Sequence, residues 1–194
     1  MRSRPQLSTT LILMAAFLLF AACSVNVKKD SEGHDKNVDI NTPFGGIHVN
    51  ENADVRDTGL PVYPGARPKP RSDSGEEKSA NVDISTSAFG LKVVAVEYQS
   101  DDAPEKLVSY YQDQLKKFGK VLQCHTSHGH GYNGPHDHNR GSDELKCEGD
   151  NSGKTIELKA GTESNQHIVS IDPQSKGSDF ALVYVRTRGK EGTI

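Results

Sequence analysis

The chain has 194 residues, 34% of them hydrophobic and 25% charged, with a formal net charge of −3. That balance leaves no basic stripe for nucleic acid, which is not an expected partner. The low apolar content fits one packed domain with tethered flanks, and argues against two large cores.

The first residues, MRSRPQLSTTLILMAAFLLFAAC, read as a targeting segment. Arg2 and Arg4 supply the positive start, Leu11–Phe20 the apolar run, and Ala21 and Ala22 the small residues before a cut. The run is shorter than the roughly 20 apolar residues that span a bilayer. Loss of residues 1–23 removes Arg2 and Arg4 from the 23 basic residues. It leaves 21 against 26 acidic ones, a net charge of −5, and takes Met1 and Met14 with it.

The stretch LLFAAC resembles the lipobox of bacterial lipoproteins, with Phe20 where that family usually has leucine. The resemblance implies that Cys23 is acylated and becomes the mature amino terminus. Several acyl chains give stable anchoring, at about 0.8 kcal/mol per buried CH₂. Ser24 after the cysteine, in place of aspartate, implies a periplasm-facing protein of the outer rather than the inner membrane. The alternative is an ordinary cleaved signal that ends near a cysteine.

Residues 24–36 are charged and lack an apolar period, so they read as a tether. Two stretches then align without gaps, NVDINTPFGGIHV (37–49) and NVDISTSAFGLKV (81–93). Each alternates apolar and polar residues across a glycine-containing turn, which predicts strand–turn–strand. They are either a duplication or two similar hairpins. Residues 51–80 form a linker in which Pro61, Pro64, Pro68 and Pro70 exclude helix and central strand. Within it, Leu60, Val62 and Tyr63 offer apolar surface that could dock on the following domain.

A domain is predicted over 81–188, with a tail over 189–194. LKVVAVEYQ is a strong strand. Asp102 as N-cap, Glu105 three later and Pro104 in the first turn open a helix whose apolar face holds Leu107, Tyr111, Leu115 and Phe118. Gly119 is placed to end it in a left-handed conformation. Short strands follow in VLQC, ELKCEG, TIELKAG, HIVSID and DFALVYVRT. The expected class is α+β: one amphipathic helix packed on a mainly antiparallel sheet, preceded by a β-hairpin and a Pro-rich linker.

YPGA, a strand, the helix LVSYYQDQL and the strands after it resemble a group of uncharacterised bacterial envelope lipoproteins, over roughly residues 58–186. TPFGGIHV is similar to β-repeats of adhesin-like envelope proteins. Neither resemblance brings catalytic residues.

Cys124 and Cys147 bracket five histidines: His125, His128, His130, His136 and His138. In an oxidising compartment the two cysteines are expected to pair, with free thiols or thiolate ligands as the alternative. Locally extended HGH and HDH segments would each place two imidazoles on one side. Such nitrogens, with or without Asp137, suit zinc, copper(II) or nickel(II); lack of methionine argues against copper(I). Against a metal, Gly129, Gly131, Gly134 and Pro135 make ordering costly, at about 1–2 kcal/mol per residue, and no spacing matches a closed zinc site. A solvated loop stapled at its base is the competing reading. His34, His48 and His167 are isolated.

No nucleophile elbow, phosphate loop, dinucleotide fingerprint or paired-cysteine redox motif is present. The expectation is therefore a non-catalytic, lipid-anchored envelope protein of binding or structural type, without a cofactor and with an unidentified envelope protein as partner. Divalent-metal binding through the histidine loop, with zinc or copper(II), is the alternative.

Overall fold

A period of two between apolar and polar residues runs through most of the chain, and in the computed structural model it becomes one antiparallel sheet. The structure describes residues 23–29, 35–50, 53–69, 79–127, 144–147 and 151–189. Its strands are β1 (Ser24–Lys29), β2 (Asp35–Thr42), β3 (Gly45–Asn50), β4 (Arg67–Pro68), β5 (Ser79–Thr86) and β6 (Phe89–Ser100). After the helix come β7 (Leu122–Thr126), β8 (Thr155–Thr162), β9 (Asn165–Pro173) and β10 (Ser178–Gly189). They lie in the order β1-β2-β3-β5-β6-β10-β9-β8-β7. The short β4 pairs Tyr98 and Gln99 of β6, just past the point where β5 begins opposite Val96.

One α-helix, α1 (Pro104–Leu115), makes the described residues an α+β arrangement. Pro104 presets the first turn, and Leu107, Tyr111 and Leu115 recur every fourth residue, so one stripe is buried. It packs with Leu158, Ala160, Val169, Ile171, Phe180 and Leu182 of the sheet. The expected N-cap moves by one residue. Ala103 occupies it without a side-chain bond, because the Asp102 carboxylate accepts instead from Tyr63 Oη (2.9 Å) and Lys106 Nζ (2.7 Å). Gly119 ends the following 3-10 turn at φ 131°, ψ −158°, outside the left-handed helical region.

Residues 24–36 do not form a tether throughout. Val25 and Val27 alternate with polar neighbours, and Ser24–Lys29 pairs with β2 as the edge of the sheet. Nor is the 37–50 stretch a separate unit, since β3 pairs β5 from Gly45 opposite Thr86 to Asn50 opposite Asn81. Cys147 is not on a strand: Glu144–Cys147 has no regular structure, and the neighbour of β7 is β8.

Unbroken register along β6 divides the sheet's two faces. Val94, Val96 and Tyr98 face the helix side, where Tyr98 stacks on Phe180 at 5.6 Å between ring centroids. Leu91 and Val93 point the other way. Cross-strand pairing extends them into two aliphatic rows on that second face. One holds Val25, Ile40, Ile47, Ile84 and Leu91, the other Val27, Val38, Val49, Val82 and Val93.

Candidate functional site

Cys23 is exposed with a free thiol, directly before β1. Ser24 pairs with Asn41, so Cys23 sits beside the turn that joins β2 to β3. In that turn Thr42 Oγ1 donates to the Gly45 carbonyl at 2.9 Å and accepts from the Phe44 N–H at 3.2 Å. The β5–β6 turn repeats the device. Thr86 Oγ1 donates to the Phe89 carbonyl at 2.9 Å and accepts from the N–H groups of Ala88 (3.3 Å) and Phe89 (2.8 Å). A short side chain closing its own turn is what threonine does well. Glycine stands at 45 where the second copy has Phe89. There φ is +156°, and a Cβ would lie 2.2 Å from the Ser85 carbonyl oxygen of the adjoining strand.

A polar row crosses the same wing two residues further in. Asp39, His48, Asp83, Lys92 and Arg186 are successive cross-strand partners. His48 Nδ1 lies 2.6 Å from Asp39 Oδ1. Within the row Asp83 and Lys92 set opposite charges side by side, and the His48 ring meets the Asp39 carboxylate, which favours this register.

The segment from Asp54 to Lys69 is fastened to the helix side of the sheet. Leu60 is buried in the core. Tyr111 Oη donates to the Pro61 carbonyl at 3.2 Å, and burial pushes its phenol well above the ordinary range. His167 Nδ1 is 2.8 Å from the Thr58 carbonyl oxygen, and the ring stacks on Phe118 at 3.5 Å. Burial lowers the His167 pKa; the Thr58 carbonyl opposes that and Lys117 adds to it. Arg67 grips Asp101 through two 3.0 Å bonds, and those bonds hold the Asp101 carboxyl below its ordinary range. Asp102 is likewise lowered, first by Lys106 and then by Tyr63. Burial opposes the charge on Lys69, but Asp179 (2.9 Å) and Glu97 (3.4 Å) outweigh it and its pKa rises.

Cys124 and Cys147 form a disulfide, with their Cα atoms 5.5 Å apart. Cys124 is fully buried on the face opposite α1, since Gln123, its strand neighbour, meets Gln112 of the helix. His125 lies on β7, its N–H donating to Asn151 Oδ1 at 2.6 Å. His128, His130, His136 and His138 lie outside the described residues. Among the described residues no cluster of three or more His, Cys, Asp or Glu side chains could hold a metal ion. No helix among them is long and apolar enough to cross a membrane.

Two features escaped the sequence reading. Phe44 and Phe89 both stand exposed at turns, a signal present in the aligned copies but displaced there by one position. His167, read as isolated, is a buried anchor for the Thr58 turn.

No family model, curated protein or solved structure matches the chain.

Proposed function

We propose that the protein is a lipid-anchored component of a bacterial cell envelope, acylated at Cys23 and acting as a non-catalytic binding or structural module. The observation that carries this reading is the exposed Cys23 thiol, placed after the export-type leader and immediately before an edge strand. An attachment point there leaves the packed core undisturbed. The segment 37–50 is a β-hairpin in this reading, and 51–80 is the Pro-rich linker whose first half clasps the domain. The partner is another envelope protein; no nucleic acid and no cofactor are involved.

The test is metabolic labelling of the full chain in a bacterial host with an alkyne fatty acid. Label should enter the wild type and vanish in Cys23→Ser. An unlabelled wild type, or label that persists in the variant, would remove the reading.

A second reading, divalent-metal binding by the loop histidines with zinc or copper(II), is favoured by the disulfide. The bond occupies both thiols and leaves imidazole nitrogens as the donors between them.

A further inference from the structure

We propose that the end of the sheet beside Cys23 docks on the lipid bilayer, with Phe44 and Phe89 lodged in the interface. The proposal deepens the lipid-anchor reading and rests on it. Antiparallel register gathers this end from distant parts of the sequence. Ser24 lies opposite Asn41, Asn41 opposite Gly46, Gly46 opposite Ser85, and Ser85 opposite Gly90. The start of β1, the Phe44 turn and the Phe89 turn are therefore neighbours at one rim.

Among the described residues, the large apolar side chains left exposed are Val25, Val27, Phe44, Ile47 and Phe89. All belong to the five-strand wing from β1 to β6, and none to the half covered by α1. Phe44 is 81% exposed, Val25 64% and Phe89 43%. Val25 and Ile47 share one cross-strand row, the next one in from the Ser24–Asn41–Gly46 row and about 3.4 Å from it along the strands. Apolar side chains gathered in this way mark a contact surface.

The occupant is identified by the neighbour on the same rim. Because β1 begins at the residue after Cys23, acyl chains on that cysteine have no spacer. They hold the rim at the headgroups, where apolar side chains settle about 5–10 Å into the acyl boundary. Phenylalanine has no polar atom that must stay hydrated, which suits that depth. The opposite end is presented outward: the chain leaves β7 at Thr126, at the far end of the sheet.

The chain contains no tryptophan, so single replacements report without background. Full-chain Phe44→Trp, Phe89→Trp and Ser175→Trp are produced in a bacterial host and reconstituted in phosphatidylethanolamine–phosphatidylglycerol vesicles with brominated acyl chains. Ser175 is exposed in the turn before β10, at the far end. Bromine should lower emission of the two rim tryptophans at least about twofold and leave Ser175→Trp unchanged, as expected for interfacial burial of one end. Chains that are acylated and float with the vesicles, yet show unquenched Phe44→Trp and Phe89→Trp, overturn the docking alone. Chains that are neither acylated nor quenched overturn the anchor as well; quenching without acylation overturns the anchor and, with it, the acyl-directed docking proposed here. A blue shift that grows with protein concentration in the absence of lipid assigns the rim to a second copy and overturns the proposal.

Discussion

His167 Nδ1 lies 2.8 Å from the carbonyl oxygen of Thr58, so a buried imidazole on β9 holds a turn 109 residues earlier in the chain. Burial lowers its pKa below the ordinary 6.5, so the folded state favours the neutral ring. The unfolded chain takes up the proton first. Stability from this contact is therefore complete above pH about 6.5 and declines as the pH falls toward the depressed value. His167→Gln should flatten the loss of urea midpoint between about pH 7.5 and 5.5. A variant that loses stability as steeply as the wild type would place that dependence on another group.

The Leu60 contact is apolar and can be separated from the polar ones. Leu60→Ala should cost about 2–5 kcal/mol in urea unfolding, as for other buried leucines. Tyr111→Phe keeps the ring in the core and removes only the bond to Pro61, so a loss of about 0.5–1.5 kcal/mol is expected. Equal losses would mean that the hydroxyl fastens this segment as strongly as the packing does.

Replacing both Cys124 and Cys147 by serine frees a 23-residue separation. The expected loss is about 3 kcal/mol, from the added freedom of the unfolded chain. Urea curves of the wild type with and without reductant provide the same comparison without mutation. Coincident curves would show that the bond constrains little.

At Gly45 a side chain meets the Ser85 carbonyl. Gly45→Ala should destabilise by about 1–3 kcal/mol through a backbone angle that side-chain-bearing residues rarely adopt, with further loss as β3 moves off β5. Ser87→Ala, at the equivalent exposed turn, should stay within about 0.5 kcal/mol. Matching midpoints for the two variants would show that β3 and β5 separate freely.

A metal-holding loop should bind zinc or copper(II) one-to-one, with Kd of about 1 µM or tighter, in calorimetry on the oxidised chain. The variant with His125, His128, His130, His136 and His138 all changed to alanine should lose that heat. Weak or equal binding in both chains would leave a solvated loop above the disulfide.

The helix was legible because its signal is local. Pro104 and the spacing of Leu107, Tyr111 and Leu115 are read within a dozen residues. The long runs that became β6 and β10 were equally plain. Edge strand β1 was not, since Val25 and Val27 are its only apolar residues, and Lys28, Lys29 and Asp30 give the stretch the charge of a tether. Cys147 looked like a strand residue from its neighbours in ELKCEG, but pairing is a tertiary choice and β8 took the place beside β7. The site was half legible. Cys23 stands out in the sequence as a candidate through the segment before it, whereas the shared rim of Phe44 and Phe89 exists only after register is set between distant strands.

Strand β10 lies between β6 and β9, yet it is the last strand made. Its register with β6 runs from Ser178 opposite Ser100 to Gly189 opposite Phe89. A chain made amino terminus first thus has the strands from β1 to β6 in place while the middle of its sheet is still open. Until the final dozen residues of the sheet arrive, β6 and β9 each expose an unpaired edge, a hazard for any nascent chain. Loss of the C-terminal segment would consequently split the sheet into two pieces instead of trimming its border.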